Sequence, residues 1–388
     1  MLEGVNVALG VSGSIAAVKT VELAHELRRQ GATVRAVMSP SAQHIIHPWS
    51  LEFATENDVV TDITGRVEHV ELCGYDGWAD VYLLAPATAN TVGKIANAVD
   101  DTPVTTAATT ALGSGVPIVI APAMHEPMYD HPGVLEAIER VEDWGVSFVD
   151  PRVEEGKAKI ATEEAIVCEV ARAAGERPLA ERHVVVTSGA TTESIDPVRV
   201  LSNRSSGKMG RAVARACYVL GATVTLVHDG PEVPYATSRQ VESSTEMLEA
   251  TLEAATGADV LVSAAAIGDY TVETHEEKLR SGETRTLELE PTPKLLDTVR
   301  AEQPSLPIVG FKTETSGEDS KMIEAARSLL ERVDAGFVVA NDARVMGADR
   351  TRALLVHAET AAEFDGTKQN LAAEIGRSIA VMLGEETA

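Results

Sequence analysis

The sequence contains little cysteine, little lysine and few aromatic residues. Of its 388 residues, 3 are cysteines, 10 are lysines and 4% are aromatic. Cys73, Cys168 and Cys217 are too few and too scattered for a disulfide framework or a zinc cluster, which predicts a reducing, cytoplasmic location. No apolar run approaches the roughly 18 residues that a membrane span needs, and the N-terminus lacks a signal-peptide pattern, so we expect no membrane partner.

Positive charge is scarce as well. The 33 Lys and Arg residues face 59 Asp and Glu residues, for a formal net charge of −26. The excess is spread along the chain, with −14 over residues 1–178 and −12 over residues 179–388. Because such a surface repels phosphate backbones, we expect no nucleic acid partner. Few lysines and many carboxylates are also typical of adaptation to high salt, which we keep as a hypothesis.

The hydrophobic pattern predicts the same β-α-β unit twice. A buried strand at residues 5–10 precedes a helical pattern, and Gly31-Ala32-Thr33-Val34 opens the next strand. A polar, proline-containing linker covers residues 175–182, after which a strand begins at His183, and Gly221-Ala222-Thr223-Val224 repeats the tetrapeptide.

Apolar strands that alternate with helices favour parallel sheets covered on both faces. We therefore predict an α/β fold of two tandem Rossmann-like or flavodoxin-like domains with mainly parallel sheets. The predicted domains are residues 1–178 and 179–388.

The loops after the strands of the first domain are the candidate ligand sites, because open parallel sheets bind ligands at the carboxyl ends of their strands. Gly10-Val11-Ser12-Gly13-Ser14 follows the first strand and offers backbone N–H groups and hydroxyls to a phosphate. It is not a dinucleotide fingerprint, and Ser39 stands where a ribose-binding acid would end the second strand. This pattern favours a mononucleotide such as FMN, and a tight turn without a ligand is an equal alternative.

Three further features of the first domain are weaker when taken singly. Pro86, Thr88 and Asn90 follow the third strand, while Met124 and His125 follow the fourth. His69 lies in a helical stretch before the third strand. For each of them, ordinary loop or surface chemistry is the commoner explanation.

The second domain holds the most unusual segment, Asp196-Pro197-Val198-Arg199 through Ser202-Asn203-Arg204-Ser205-Ser206-Gly207-Lys208-Met209-Gly210. Hydroxyls, glycine and basic side chains at a helix start suit a phosphorylated or carboxylated substrate. A solvated charged loop is the alternative. Other candidate residues follow later strands of this domain: Ser263, Ala264, Ala265, Asp269, Lys278, Pro293, Lys294 and Phe311.

Together these segments resemble the bifunctional phosphopantothenoylcysteine decarboxylase/phosphopantothenate–cysteine ligase family of coenzyme A biosynthesis, in an archaeal-like variant. The segment from Asp196 to Gly210 is its most specific motif. Supporting matches in the second domain are Ala264-Ala265, Asp269-Tyr270, Gly310-Phe311 with Glu314-Thr315, and Ala340-Asn341-Asp342. In the first domain they are Gly13-Ser14-Ile15-Ala16, His69, Ala85 to Asn90 and Pro122-Ala123-Met124.

The resemblance implies that the second domain activates 4'-phosphopantothenate with CTP and Mg²⁺ to an acyl-cytidylate, from which L-cysteine displaces CMP. It implies that Lys278 assists formation of the acyl-cytidylate and that Asn203 and Arg199 handle its conversion. Substrate contacts are implied for Ser205, Ser206 and Lys208. Nucleotide contacts are implied for Ser263, Ala264, Ala265, Asp269, Pro293, Lys294 and Phe311, and no metal ligand is identified.

For the first domain, the resemblance implies FMN-dependent oxidation of the new cysteinyl thiol and loss of CO₂, giving 4'-phosphopantetheine. His69 would be the base, and Met124 and His125 would bind substrate. Gly13, Ser14, Ser39, Pro86, Thr88 and Asn90 would bind the cofactor. The family resemblance also implies a homo-oligomer, with trimers of first domains and dimers of second domains.

Three departures from the family pattern matter. The first is His125, which replaces the usual asparagine. The second is the flap stretch Glu154 to Ile160, which lacks the bacterial catalytic cysteine. Lys157 or Lys159 is therefore the expected proton donor, and Cys168 is a remote candidate for that role. Two nucleotide-binding lysines of the bacterial ligase align with Leu329 and Val333, and Arg327 and Arg332 are near enough to replace them.

Two alternatives stay open at this stage. The first keeps the ligase and makes the first domain a structural or regulatory flavin module. The second is an FMN decarboxylase acting on other thiol-carboxylates beside an unrelated binding domain.

Overall fold

The computed structural model describes residues 1–154, 157–314, 318–342 and 350–384. The chain divides into two compact units, residues 1–175 and 176–388, each with its own central sheet. Three residues named above, Glu155, Gly156 and Thr315, lie outside the described residues, as do the side chains of Glu154, Lys157 and Asp342.

The first unit is built on a five-stranded parallel sheet with the order β2-β1-β3-β4-β6. Its strands are β1 (Asn6–Val11), β2 (Thr33–Met38), β3 (Val81–Ala87), β4 (Ile118–Pro122) and β6 (Ser147–Phe148). A smaller antiparallel sheet has the order β5-β8-β7 and consists of β5 (Met124–His125), β7 (Arg152–Glu154) and β8 (Lys157–Lys159). The helices are a 3₁₀ turn (Ile15–Lys19), α1 (Thr20–Arg29), α2 (Pro40–Gln43), α3 (Pro48–Thr55), α4 (Glu68–Cys73), α5 (Ala89–Ala96), α6 (Pro103–Ser114), α7 (Glu126–Tyr129), α8 (Pro132–Glu142) and α9 (Glu163–Ala174).

The central strands of this unit are buried along their whole length, as their continuous apolar sequence predicts. Every residue of β3 is buried, and the Tyr82 hydroxyl in it donates a hydrogen bond of 2.8 Å to the Val104 carbonyl of α6. The Cys73 thiol lies in the same core, and its burial raises its pKa to about 12. This thiol is therefore a small apolar core side chain and not a nucleophile.

The second unit is built on an eight-stranded sheet with the order β13-β12-β9-β14-β17-β18-β19-β20, in which the first six strands are parallel and the last two are antiparallel. These strands are β9 (His183–Ser188), β12 (Thr223–His228), β13 (Thr237–Gln240), β14 (Val260–Ser263), β17 (Ile308–Glu314), β18 (Phe337–Asp342), β19 (Arg350–Val356) and β20 (Ala361–Thr367). Two small antiparallel pairs join β10 (Thr192–Ser194) to β11 (Val200–Ser202) and β15 (Tyr270–Val272) to β16 (Leu289–Pro291). The helices are α10 (Lys208–Val219), α11 (Ser244–Ala255), α12 (Leu295–Glu302), α13 (Asp319–Val333) and α14 (Lys368–Met382).

Glycine allows α10 to approach β9 closely. Gly207, at the N-terminal end of α10, has a left-handed backbone with φ of 66°, which favours glycine. A Cβ at Gly210 would lie 2.5 Å from the Cβ of Ser188. The start of this helix is thereby held at the carboxyl end of β9.

The predicted fold class is confirmed in both units. Each sheet begins with the β-α-β unit expected from the sequence, and the repeated Gly-Ala-Thr-Val segments lead into β2 and β12, which both lie beside the first strand of their unit. None of the described helices has the length and apolar character of a membrane span.

Candidate active sites

The strand-end loops of the first unit contact one another directly. The Ser12 hydroxyl donates to the Pro86 carbonyl at 2.7 Å, and the Ser14 hydroxyl donates to the Ala123 carbonyl at 3.2 Å. The Ser39 N–H donates to the Val11 carbonyl at 3.1 Å. These bonds join the loops after β1, β2, β3 and β4 into one group, which we call the first-unit loop cluster.

Three predicted residues of this cluster are helix caps. Ser14, Ser39 and Thr88 each stand at the N-terminal end of a helical segment and accept a hydrogen bond from a backbone N–H of its first turn. Side-chain hydroxyls and helix N-terminal amides are the donors that bind phosphate groups. Asn90 lies exposed in the first turn of α5, and the bond between Ala85 and Pro86 is cis.

Close packing leaves no room for a side chain at Gly13. A Cβ there would lie 2.3 Å from the Ser41 hydroxyl. The loop after β1 therefore packs closely against Ser41 at the start of α2, and the Ser41 hydroxyl shares a hydrogen bond of 3.1 Å with that of Ser39.

The predicted flap and the predicted substrate clamp form one small sheet. Strand β5 pairs with β8, with Met124 opposite Ala158 and His125 opposite Lys157. This pairing places the clamp residues beside the strand that contains Lys159. Cys168, by contrast, is buried in the helix α9 that follows.

His69 lies on the short helix α4. Its ring is partly buried, and its Nδ1 atom is buried without a hydrogen-bond partner among the residues that the structure describes. A buried nitrogen without a partner is costly, and none of the described residues supplies one to this atom.

In the second unit, one cavity of about 110 Å³ collects residues from distant segments. Its lining includes six of the predicted site residues, namely Ser205, Ser206, Lys208, Ala264, Ala265 and Phe311. The alanines are held against the end of β9, since the Ala265 N–H donates to the Thr187 hydroxyl at 3.2 Å and the Ala266 N–H donates to the Gly189 carbonyl at 2.9 Å.

Four polar residues of this lining were not among the predicted site residues. They are Thr313, Asn341, Thr351 and Lys368. The Thr313 hydroxyl donates to the Asn341 side-chain oxygen at 2.9 Å, at the carboxyl ends of β17 and β18. Thr313 and Asn341 are predictable, because ligand sites of parallel sheets lie at the carboxyl ends of strands. Thr351 and Lys368 have no nearby sequence motif that indicates a site.

A buried carboxylate joins two of the predicted catalytic segments. Asp196 accepts hydrogen bonds from the N–H groups of Val198 and Arg199, both at 2.8 Å, and from the Arg199 guanidinium. It also accepts one from the N–H of Leu279 at 3.0 Å, directly after Lys278. Asp196 therefore positions the segments of both Arg199 and Lys278, although the sequence pattern attached no role to it.

The same hydrogen bonds determine the protonation of Asp196. Burial by itself would raise its pKa, but the donors from Val198, Leu279 and Arg199 outweigh burial and lower the pKa to about 2. The carboxylate is thus charged at any physiological pH.

The remaining predicted residues of the second unit are not among the cavity-lining residues in the part of the chain that the structure describes. Asn203 donates to the Ala266 carbonyl at 3.0 Å, which ties its loop to the cavity wall. Lys294 forms an ion pair with Asp269, and the Thr292 N–H donates to the Asp269 carbonyl at 3.0 Å. Ser263 is buried in β14, and Pro293 adjoins Lys294.

Arg327 and Arg332, the arginines expected to replace two nucleotide-binding lysines, differ from each other in their surroundings. Leu329 and Val333 are buried in the core of the second unit. Arg332 binds both carboxylate oxygens of Asp297, at 2.8 and 2.6 Å, and Arg327 is exposed on α13. Arg332 would have to leave this ion pair to bind a phosphate.

The donor chemistry of the first-unit loop cluster fits a flavin mononucleotide. The hydroxyls of Ser39 and Thr88 and the amides of helix starts suit a phosphate, whereas the Ser14 hydroxyl already donates to the Ala123 carbonyl. For a metal ion, no group of three or more His, Cys, Asp or Glu residues has suitable geometry within the described part of the chain. Mg²⁺ held mainly by nucleotide phosphates would need no such group.

Two protein families match this chain. The family described as Flavoprotein matches residues 1–175, and the family described as DNA/pantothenate metabolism flavoprotein C-terminal domain matches residues 179–382.

Among solved structures, the chain is similar to the C-terminal domain of a coenzyme A biosynthesis bifunctional protein CoaBC, at 31% identity and a TM-score of 0.46. That match covers 54% of this chain and 99% of the other. It is also similar to a mutant PPC decarboxylase complexed with pantothenoylaminoethenethiol, at 31% identity and a TM-score of 0.38. That match covers 43% of this chain and 96% of the other.

Similarity to curated proteins extends over nearly the whole chain. The coenzyme A biosynthesis bifunctional protein CoaBC of Thermococcus kodakarensis is 48% identical over 389 residues, which cover 98% of this chain and 96% of that protein. The CoaBC of Bacillus subtilis is 35% identical over 370 residues, which cover 90% of this chain and 88% of that protein. This chain therefore belongs to the CoaBC family of bifunctional enzymes, which carry out both the decarboxylase step and the ligase step of coenzyme A biosynthesis.

Proposed function

We propose that residues 179–388 join 4'-phosphopantothenate to L-cysteine with CTP and Mg²⁺, and that residues 1–178 decarboxylate the product with FMN to 4'-phosphopantetheine. The observation that carries the proposal is the cavity of the second unit, where the Ser-Ser-Gly-Lys motif meets Ala264, Ala265 and Phe311. We place both reactions in the cytoplasm.

In the ligase reaction, a carboxylate oxygen of 4'-phosphopantothenate attacks the α-phosphorus of CTP, and pyrophosphate leaves. The cysteine amine then attacks the acyl carbon of the acyl-cytidylate, and CMP leaves. Both steps build up negative charge on phosphate or acyl oxygens, so cations that neutralise the developing charge lower the barrier. We assign Lys278 to the first step and Asn203 and Arg199 to the second.

Substrate and nucleotide would occupy adjoining parts of this site. Ser205, Ser206 and Lys208 offer hydroxyls, helix N-terminal amides and a cation to phosphates. Phe311, Ala264 and Ala265 give the cavity an apolar surface suited to a base, and Ser263 precedes the alanines at the end of β14. Asp269, Pro293 and Lys294 would contact the nucleotide from the neighbouring loop, where an ion pair holds Lys294 in place.

In the decarboxylase reaction, bound FMN supplies the two-electron redox chemistry. Ser14, Ser39 and Thr88 would hold its phosphate, and Gly13, Pro86 and Asn90 would line its place at the sheet edge. The match of residues 1–175 to the Flavoprotein family supports this cofactor.

His69 is the proposed base of the decarboxylase, and its ring is partly buried on α4. Met124 and His125 would contact the substrate, because the strand that contains them pairs with the flap strand. In this arrangement Lys157 or Lys159 supplies the final proton.

We also propose a homo-oligomer, with trimers of first domains and dimers of second domains. Large apolar side chains on the first unit support an interface there: Ile15 is 79% exposed, Trp49 73% and Phe53 76%. Light scattering of the purified chain tests the assembly, and a monomer at micromolar concentration would contradict it.

One mass-spectrometric experiment tests the function. The purified chain is incubated with 4'-phosphopantothenate, cysteine, Mg²⁺ and CTP, with ATP in place of CTP as a parallel arm and no nucleotide as the control. We expect phosphopantothenoylcysteine first and 4'-phosphopantetheine after it. Accumulation of the first product alone would contradict an active decarboxylase, and a colourless protein that takes up no FMN would contradict the cofactor.

A further inference from the structure

Lys368 reaches the ligase cavity from a segment remote from the sequence motifs. It is the first residue of the last helix, α14, and lines the same cavity as Lys208, which lies 160 positions earlier in the chain. Its side chain is partly buried. Two lysines at one cavity, in a chain that has only 10 lysines and a net charge of −26, indicate that the cavity receives an anion.

Each of the two lysines is the first residue of a helix whose N-terminal end lies at the cavity. Helix α10 begins at Lys208 and helix α14 at Lys368, and residues from the first turn of each line the wall. The helices pack tightly on each other, since a Cβ at Gly376 of α14 would lie 2.6 Å from Leu220, which follows α10. Each helix N-terminus adds roughly half a positive charge to that of its lysine.

The rest of the lining indicates which anion this is. Phe311 presents an aromatic ring, and Thr313, Asn341 and Thr351 present hydroxyl and amide groups. A cavity lined by an aromatic ring, several neutral hydrogen-bonding groups and two lysines has the chemistry of a nucleotide site. The phosphate chain is the part that two lysines and two helix starts would bind.

The structure assigns Lys368 as a nucleotide-binding residue of the ligase site, in contact with the triphosphate. This assignment rests on the proposed ligase function.

Substitution of Lys368 tests the assignment on the full chain. We expect Lys368→Gln to raise the KM for CTP roughly 10- to 100-fold, the size of a lost charge-assisted contact, with the KM for cysteine unchanged. Lys368→Arg should restore most of the affinity because it keeps the charge. Arg377→Gln is the matched control, since it removes one positive charge from an exposed position of the same helix.

Calorimetric titration with CTP and with inorganic tripolyphosphate separates this assignment from the function on which it rests. Weaker binding of both probes by Lys368→Gln, but not by Arg377→Gln, supports the phosphate contact even if the wild-type chain ligates nothing. Unchanged binding and KM in a folded Lys368→Gln variant would overturn the assignment while leaving the ligase function in place. Equal losses in both variants would also overturn it.

Discussion

The two units use the same sheet edge in different ways. In the first unit, loops that follow successive strands bond directly to one another, as Ser12 does to Pro86 and Ser14 to Ala123. In the second unit, the cavity combines a motif loop, strand ends, an antiparallel strand and the last helix. Strand-end loops therefore mark the candidate site in both units, whereas in the second unit an antiparallel strand and the last helix add Thr351 and Lys368 to it.

A second difference concerns the groups proposed for proton and charge transfer. His69 has a buried nitrogen for which the described residues provide no partner. Arg199 and the segment of Lys278 share the carboxylate of Asp196, which accepts four hydrogen bonds. The first unit therefore has a histidine nitrogen without a partner in the described part of the chain, whereas in the second unit one carboxylate holds both Arg199 and the segment of Lys278.

The largest expected effect separates the two reactions. His69→Asn should lower CO₂ release by roughly 10²- to 10⁴-fold, because a general base is lost, and should leave ligation unchanged. Trapping of labelled CO₂ from supplied phosphopantothenoylcysteine measures the first rate, and CMP release measures the second. The control is His25→Asn on α1, and a parallel fall of both rates in His69→Asn would show that the sites are not independent.

A smaller effect is expected from the shared carboxylate. Asp196→Asn should lower the ligation rate about 10- to 100-fold, because the Arg199 guanidinium loses its charged partner and the 278–279 segment loses an acceptor. Decarboxylation of supplied product should not change. Asp365→Asn, at an exposed ion pair with Arg350, serves as the control. A ligation rate equal to that of this control would refute the positioning role.

Glycine substitutions compare the stability of the units. Gly210→Ala should destabilise the second unit by roughly 1–3 kcal/mol, since its Cβ would lie 2.5 Å from that of Ser188. Gly113→Ala, in α6 of the first unit, has no atom within 4 Å of the new Cβ and should be neutral or slightly stabilising. Urea unfolding is monitored by ligase activity and by flavin absorbance. Equal midpoints for the two variants would contradict the close packing of α10 on β9.

Acid should weaken the second unit through Asp196. Its pKa of about 2 in the folded chain lies below the ordinary value of 3.8, so its stabilising contribution is complete above pH 4 and disappears as pH falls towards 2. The unfolding free energy of Asp196→Asn should therefore decline less between pH 5 and pH 3 than that of the wild type. An equal decline of the unfolding free energy in both proteins between pH 5 and pH 3 would contradict this role of Asp196.

Salt should change the thermal stability of the two units almost equally. This is the smallest difference that we expect between them. The charges of −14 and −12 over the predicted domains are close, and screening relieves repulsion between surface carboxylates. Thermal unfolding midpoints should rise with KCl for both units. A fall in either midpoint as KCl increases would contradict the hypothesis of adaptation to high salt.

Prediction from the sequence worked best where the determining interactions are local. The strands at residues 6–11 and 183–188 follow from apolar runs, and those at residues 33–38 and 223–228 follow from apolar runs that overlap Gly-Ala-Thr-Val. It missed β13 (Thr237–Gln240), which is a polar edge strand with little apolar signal.

The fold class, the tandem plan and the strand-end loops could be predicted from the sequence, because hydrophobic period and turn chemistry act over a few residues. Three contacts could not be predicted in this way: Asp196 joins Arg199 to Leu279, β5 pairs with β8, and Lys368 lines the same cavity as Lys208. Such contacts join elements whose separation along the chain carries no local signal, so they depend on how helices and strands pack.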